Sequence, residues 1–175
     1  MAFNLILTLL SLNLINQEKY IGYIERHSPE INNLIEINAK IEILANGFEW
    51  SEGPIWSNKL NSILFSDVPK NVIYQWNEKN GLSVFTKPIG YSGKVPNLKK
   101  AGTNGLTIDA DGNLIICMHG DRKIAKMENL SVEKKTTLVD SFEDKLFNSP
   151  NDLVYDSKGN LFFTDPPYGL LKGDD

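Results

Sequence analysis

Glu52-Gly53-Pro54-Ile55-Trp56 is the first of three stretches that align as copies of one unit, and these copies decide the fold. The other two are Asn104-Gly105-Leu106-Thr107-Ile108-Asp109 and Asn151-Asp152-Leu153-Val154-Tyr155-Asp156. A turn and a second apolar run follow each copy, and the copies start 52 and then 47 residues apart. A period of this length is typical of repeated supersecondary units, above all the blades of a β-propeller. The sequence therefore predicts an all-β chain built from blades.

The second copy shows the pattern of a whole blade. Asp111-Gly112-Asn113 predicts a hairpin between its first two strands, and residues 124–127 and 136–139 supply two further strands. The third copy repeats the hairpin signal at Lys158-Gly159-Asn160, and the sequence ends soon after its second strand. Residues 87–102 contain three glycines and two prolines and are predicted to form a long loop.

The polar residues at the strand starts are expected to meet in space. The inner strands of successive blades begin at the same rim of a central channel, which places Glu52, Asn104 and Asn151 together. The next strand of each blade returns to that rim and ends there in an aspartate or a histidine. A carboxylate with two amides is an oxygen-rich set of the kind that hard divalent cations prefer. The sequence therefore predicts a cation site at this rim.

Composition excludes some classes of function. The chain has 175 residues, 41% of them hydrophobic and 10% aromatic, which suits one globular domain with a real core. Its formal net charge is −4 and it has no basic cluster, so nucleic acid is not an expected partner. Cys117 is the only cysteine, so no intrachain disulfide can form, which leaves the compartment open.

The N-terminal segment admits two interpretations. Residues 3–15 form a 13-residue apolar run, too short to span a bilayer and suited to the core of a signal peptide over residues 1–18. That interpretation indicates a periplasmic or secreted protein. No Lys or Arg precedes the run and no small-x-small cleavage site follows it, so a buried segment of a cytoplasmic protein is the alternative.

Residues 19–40 are predicted to be an extension that precedes the propeller. Ser28-Pro29-Glu30 resembles a helix start, with Ser as N-cap and Pro at the first position, so we expect one short helix. The alternation in Ile41-Glu42-Ile43-Leu44 predicts a strand. The propeller domain is accordingly predicted over residues 41–175.

A wider set of residues carries a resemblance to a known family. The set is Gly47-Phe48-Glu49-Trp50-Ser51-Glu52-Gly53-Pro54, Asn104-Gly105-Leu106, Cys117-Met118-His119-Gly120-Asp121-Arg122, Asn148-Ser149-Pro150-Asn151-Asp152-Leu153 and Phe163-Thr164-Asp165-Pro166-Pro167-Tyr168-Gly169. These motifs resemble the gluconolactonase and regucalcin-type (senescence marker protein-like) lactonases. The resemblance implies a six-bladed β-propeller with a calcium-like divalent ion at its centre, of which this chain holds the N-terminal two and a half to three blades.

The resemblance also implies roles for individual residues. Glu52 matches the Glu of the family's Glu-Gly-Pro motif, which is a metal ligand, and Asn151 matches a second ligand. Asp152 matches a residue that binds a second, structural calcium in the related paraoxonases. Asn104 and His119 match a paraoxonase histidine pair, of which only the second member is a histidine here. We therefore expect Asn104 to bind substrate and His119 to act as a single catalytic base.

The function that the resemblance implies is hydrolysis of a small lactone or ester. A divalent cation, Ca²⁺ in the first place with Mg²⁺, Mn²⁺ or Zn²⁺ as alternatives, polarises the ring carbonyl and stabilises the developing oxyanion. Hydrolysis of phosphotriesters or fluorophosphates is the alternative reaction, and a non-catalytic ligand-binding propeller is the alternative class. Six blades require roughly 300 residues at this repeat length. We therefore expect a fragment of a longer protein, inactive or nearly so by itself.

Overall fold

The computed structural model describes residues 19–93, 102–167 and 169. These residues fall into two compact units, one ending at Asn46 and the other beginning at Gly47. The predicted signal peptide at 1–18 and part of the predicted long loop, residues 94–101, lie outside the described residues. Within the described ranges, no helix has the length and apolar character that crossing a membrane requires.

The first unit contains the short helix that the sequence predicts. It is a 3-10 helix, Pro29–Asn33, with Pro in its first turn. Ser28 has extended backbone angles and its hydroxyl accepts a hydrogen bond from the backbone N–H of Glu30 at 3.4 Å. The N-cap prediction is therefore confirmed, because the side chain satisfies one of the N–H groups that a helix start leaves open.

The strand predicted at residues 41–44 is wrong. Glu42 forms one isolated antiparallel bridge with Tyr20, and no longer ladder follows. The partner segment changes direction at Gly22, whose φ of +61° is a left-handed conformation that suits glycine. Alternation identified an extended segment correctly, but it could not reveal that only Glu42 forms a bridge among the described residues.

Most strands of the second unit lie in two four-stranded antiparallel sheets. The first contains β1 (Ser51–Ser57), β2 (Ser62–Asp67), β3 (Val72–Asn77) and β4 (Gly81–Thr86), paired in chain order. The second contains β5 (Leu106–Ile108), β6 (Leu114–Met118), β7 (Lys123–Met127) and β8 (Lys135–Val139), also in chain order. Two short 3-10 helices, Glu128–Leu130 and Val132–Lys134, join β7 to β8.

Two further strand pairs follow along the chain. β9 (Ser141–Phe142) and β10 (Lys145–Leu146) form a small hairpin. β11 (Leu153–Tyr155) pairs with β12 (Leu161–Phe163). The described residues thus hold two four-stranded units and half of a third, which confirms the predicted two and a half blades.

The position of β6 in the second four-stranded sheet explains why this strand is apolar throughout. All five residues of β6 are buried. Leu114, Ile116 and Met118 pack in a cluster with residues of the first sheet, whereas Ile115 and Cys117 pack in a second cluster with Leu153 of β11. Because alternate residues of a strand point to opposite faces, β6 is covered on both sides by neighbouring sheets. Burial of one such aliphatic side chain contributes about 1.5–3 kcal/mol to the free energy of unfolding.

Candidate functional site

The starts of β1, β5 and β11 line a single pocket of about 380 Å³. Its polar lining includes Glu52, Asn104, Asn151 and Asp152. The structure therefore brings together four of the five side chains that the sequence singled out, although 47 to 52 residues separate the three strand starts along the chain. The convergence predicted from the repeat period is present.

Glycine next to the polar residue allows the inner strands to approach closely. A Cβ atom at Gly53 would lie 2.7 Å from the backbone oxygen of Asn104, and one at Gly105 would lie 2.7 Å from that of Asn151. Real Cβ atoms do not make such contacts, so both positions require glycine. The backbone N–H of Gly105 also donates to the Asn151 oxygen at 2.7 Å. Sequence reasoning missed this packing, although each glycine follows its polar residue directly.

Asn104 is buried and fixed by bonds on several sides. Its side-chain Nδ2 donates to Oδ1 of Asn151 at 2.7 Å, which joins the second blade to the third. Its backbone oxygen accepts a 2.6 Å hydrogen bond from the Ser66 hydroxyl, and its backbone N–H donates to the backbone oxygen of Cys117. An amide oxygen has two lone pairs, so Oδ1 of Asn151 can accept from Asn104 and still coordinate a cation.

Glu52 lies in the pocket wall with its carboxylate held from one side. Its Oε1 accepts a 2.7 Å hydrogen bond from the indole N–H of Trp50. Trp50 directly precedes β1 and lies two residues before Glu52, and its indole reaches the carboxylate from there. Sequence reasoning missed Trp50 as a partner, although the i, i+2 spacing was a usable signal.

Asp152 lines the same pocket at its more exposed edge. Its carboxylate accepts from the backbone N–H of Leu153 at 2.9 Å, and its own N–H donates to the Thr164 hydroxyl at 3.1 Å. These bonds fix the entry into β11. A role for Asp152 at a second cation site stays a prediction.

His119 follows β6 directly and is 6% exposed. A Cβ atom at Gly169 would lie 2.7 Å from its Nε2, so Gly169 covers this side of the ring. His119 is not one of the described residues that line the pocket. Its predicted role as a base stays a prediction.

The two aspartates expected at the rim beside these residues fix loops. Asp67 is fully buried and accepts bonds from the backbone N–H groups of Glu49 and Trp50 at 3.2 and 3.3 Å. Asp165 does the same one repeat later for Asn148 and Ser149, at 2.8 and 2.6 Å. Each carboxylate thereby closes the loop that leads into an inner strand.

The family follows from comparison with known proteins. The sequence model of the SMP-30/Gluconolactonase/LRE-like region matches residues 50–175. The chain belongs to this family.

Individual relatives agree with that assignment. A curated gluconolactonase of Zymomonas mobilis subsp. mobilis is 37% identical over 157 residues, a match that covers 89% of this chain and 44% of the relative. A solved gluconolactonase structure from Xanthomonas campestris is 31% identical with a TM-score of 0.66, covering 78% of this chain and 42% of that one. A structural-genomics structure described as a candidate gluconolactonase is 33% identical with a TM-score of 0.69, covering 82% and 45%.

These matches identify the architecture of the described sheets and show how much of its relatives the chain covers. The two four-stranded sheets and the strand pair are successive blades of a partial β-propeller. The chain spans slightly less than half the length of the gluconolactonases it matches.

The donor chemistry of the pocket suits a hard cation. Carboxylate and amide oxygens are ligands that Ca²⁺ and Mg²⁺ prefer, whereas structural zinc sites use cysteine and histidine. Among the described residues, no group of three or more His, Cys, Asp and Glu side chains could hold a metal ion. The amide oxygen of Asn151 would therefore have to contribute alongside the carboxylate of Glu52.

Carboxylates at the opposite ends of the inner strands of this gluconolactonase-like chain have a different environment. Asp109 accepts bonds from the backbone N–H groups of Asp111 and Asn113 and from the Asn113 amide, and Lys126 lies 3.3 Å away. Partial burial raises the pKa of Asp109, but the bonds from Asn113 and Lys126 outweigh it and hold the pKa below its usual 3.8. Asp156 repeats the arrangement with Lys158 and Asn160, and the Asn160 amide lowers its pKa. Both carboxylates therefore have a structural role in their turns.

Cys117 lies on β6 between the blades and is fully buried. Burial raises the pKa of its thiol far above the usual range, and the charges of Asp152 and Asp165 act in the same direction. The thiol is therefore protonated and inert at neutral pH.

Proposed function

We propose that this chain is part of a lactonase that opens sugar lactones with the help of a divalent cation, Ca²⁺ in the first place. Membership of the SMP-30/gluconolactonase family and the relatives described as gluconolactonases support the reaction class. The observation that carries the proposal is the pocket itself, to which three separate blades each contribute an oxygen-bearing side chain. A propeller that only binds ligands has no need to place such side chains at equivalent strand starts.

The residues of the pocket have different roles in the proposed mechanism. Glu52 and Asn151 hold the cation, and Asp152 lies at the edge where a second ion would bind. When bound, the cation polarises the lactone carbonyl and stabilises negative charge on its oxygen. Asn104 orients Asn151 through one amide N–H, and we assign its second amide N–H to a substrate oxygen.

Proton transfer from the attacking water needs a base near the pocket. We assign the attacking water's proton to His119, an imidazole whose ordinary pKa range suits a base at neutral pH. Because His119 is buried and does not line the pocket among the described residues, an intervening water has to carry the proton to it. His119→Gln is accordingly expected to lower the rate of turnover and to leave cation affinity unchanged.

The proposal is tested by removing one charge in the pocket and the same charge nearby. Glu52→Gln removes the carboxylate from the pocket and is expected to weaken Ca²⁺ and Mn²⁺ binding by roughly 10- to 100-fold or more. Glu49→Gln makes the same chemical change three residues earlier, on an exposed side chain outside the pocket lining, and is expected to bind cations normally. Isothermal titration calorimetry measures both affinities, and thermal melting checks that both variants fold.

Because the chain alone is expected to be inactive or nearly so, turnover on aldonolactones is measured in the full reading frame with a pH indicator, with and without a chelator. Chelator-sensitive lactone opening supports the proposal, and opening that survives complete removal of metal contradicts the cation mechanism. Equal cation affinity of Glu52→Gln and Glu49→Gln would remove Glu52 from the site. Cation and lactone binding without turnover would favour a binding protein.

Export to the periplasm or the medium is a separate proposal, supported by the apolar segment at residues 3–15. Fusion of residues 1–18 to a reporter that is active only outside the cytoplasm tests it. Reporter activity equal to that of a leaderless fusion would contradict export.

A further inference from the structure

The Glu52 carboxylate is held by an aromatic neighbour that no sequence motif assigns to the site. The indole N–H of Trp50 donates to Oε1 of Glu52 over 2.7 Å. A hydrogen bond to an ionised carboxylate is stronger than one between neutral groups. The Trp50 ring itself does not line the pocket among the described residues, and 63% of the residue is exposed.

The backbone that carries this indole is fixed on both sides. The backbone N–H of Trp50 donates to Oδ1 of Asp67 at 3.3 Å, and its backbone oxygen accepts from the N–H of Val68 at 3.1 Å. Asp67 is fully buried and lies 3.2 Å from the ammonium group of Lys70. The backbone that carries the indole is thus held by hydrogen bonds on both sides.

Glu52 needs such support because the sheet does not hold it firmly. Its pairing with Ser66 is the last regular one before a β-bulge that extends to Ile55. Gly53 inside that bulge has a φ of +57°. A bulge interrupts the ladder and changes the direction of the strand locally, so backbone pairing alone leaves the carboxylate poorly oriented.

We propose that Trp50 is a positioning residue, which holds one oxygen of Glu52 so that the other is directed at a divalent cation in the pocket. This inference rests on the proposed function. Partners of this kind orient ligand groups and reduce what a ligand loses in side-chain freedom when a cation binds.

The chain offers a matched control towards the other end of β1. Trp56 donates from its indole N–H to Oδ1 of Asn58 at 2.9 Å, again two residues ahead, and is 47% exposed. Its partner is an amide outside the pocket lining. Trp50→Phe and Trp56→Phe therefore each remove one exposed indole N–H and keep an aromatic ring.

Calorimetric titration of the 175-residue chain with Ca²⁺ and with Mn²⁺ compares the two variants. Trp50→Phe is expected to weaken cation affinity by about 10-fold or more, and Trp56→Phe is expected to leave it unchanged. Trp50→Phe combined with Glu52→Gln is expected to be no weaker than Glu52→Gln alone, because the indole acts only through that carboxylate.

A spectroscopic measurement on the folded wild-type chain does not depend on the variants folding. The three tryptophans give three indole N–H resonances in a ¹⁵N-correlated spectrum, which single substitutions assign. Addition of Mg²⁺ or Ca²⁺ is expected to shift the Trp50 resonance and to leave the Trp56 resonance in place.

The outcomes separate the two proposals. If the wild-type chain binds cations and Trp50→Phe binds them equally well, Trp50 has no positioning role and the proposed function stands. If the wild-type chain binds no cation and its Trp50 resonance does not move, both proposals fail. Weakened binding by both tryptophan variants would indicate a general effect on the strand and would also overturn the role of Trp50.

Discussion

The two ends of the inner strands use the same kinds of side chain for different purposes. At the hairpin ends, the carboxylates of Asp109 and Asp156 are surrounded by backbone N–H groups and an asparagine amide that follow within four residues. At the starts, Glu52, Asn104 and Asn151 take side-chain partners from elsewhere or face a shared pocket. A carboxylate whose hydrogen bonds come from its own turn has a structural role. A carboxylate that faces a space between blades is available to bind a cation or a substrate.

This comparison predicts that the strand starts depend on contacts between blades and the hairpins on contacts within one. Substitutions at the starts are therefore expected to change both stability and cation affinity. Substitutions at the hairpins are expected to change stability alone.

The largest effect on stability is expected from Gly105→Ala. The new Cβ would lie 2.7 Å from the Asn151 oxygen and 2.8 Å from the Cα of Asp152, both of which belong to the backbone of the next blade. Overpacking of this kind costs about 1–3 kcal/mol or more of the free energy of unfolding, and it would also separate the strands that line the pocket. Urea unfolding measures the first effect and calorimetric titration with Ca²⁺ the second.

Gly159→Ala is the control for Gly105→Ala. Gly159 has a φ of +84° in the β11–β12 hairpin, with no atom within 4 Å of a new Cβ. Alanine there carries backbone strain of about 1–2 kcal/mol without a clash. Cation affinity that falls equally in both variants would contradict the difference between the two ends.

A smaller loss of stability is expected from Asp109→Ala in the second blade. The substitution leaves the backbone N–H groups of Asp111 and Asn113 without their carboxylate and removes the partner of Lys126. The expected cost is about 1–2 kcal/mol of unfolding free energy, measured with urea. Asp156→Ala removes the same turn bonds at a more exposed site, where the described residues form no ion pair with it, and is expected to cost less. Equal losses would show that Lys126 and partial burial add nothing at Asp109.

The smallest effect is a dependence of stability on pH that arises from Asp109. The pKa of this carboxyl is below 3.8 in the folded chain, so between the folded and unfolded values the unfolded state binds more protons. Its contribution to stability is therefore complete above about pH 5 and decreases as the pH falls through the folded pKa. Urea unfolding between pH 2.5 and 7 should show the difference between wild type and Asp109→Asn narrowing below about pH 4. A difference that stays constant would contradict the lowered pKa.

Local signals allowed most of the fold to be predicted from the sequence. The Asp111-Gly112-Asn113 and Lys158-Gly159-Asn160 turns each specify a hairpin through neighbouring residues, and both hairpins are present. The repeat period also placed Glu52, Asn104 and Asn151 in one pocket. These features depend on contacts that are short in sequence or on a symmetry that repeats.

The remaining features depend on contacts between distant segments, which periodicity does not contain. Alternation at residues 41–44 could not show that the described residues form a single bridge with Tyr20 there. The close approach of Gly53 to Asn104 depends on where the next inner strand lies in space. His119 follows its strand directly, and the covering of its ring by Gly169 depends on a return of the chain 50 residues later.

Anomalous diffraction from crystals grown with Mn²⁺ tests most directly whether the strand starts, rather than the hairpins, form the cation site. The account predicts an anomalous peak within coordination distance of the Glu52 carboxylate and of Oδ1 of Asn151. A peak at the hairpin carboxylates of Asp109 or Asp156, with none between the strand starts, would contradict it.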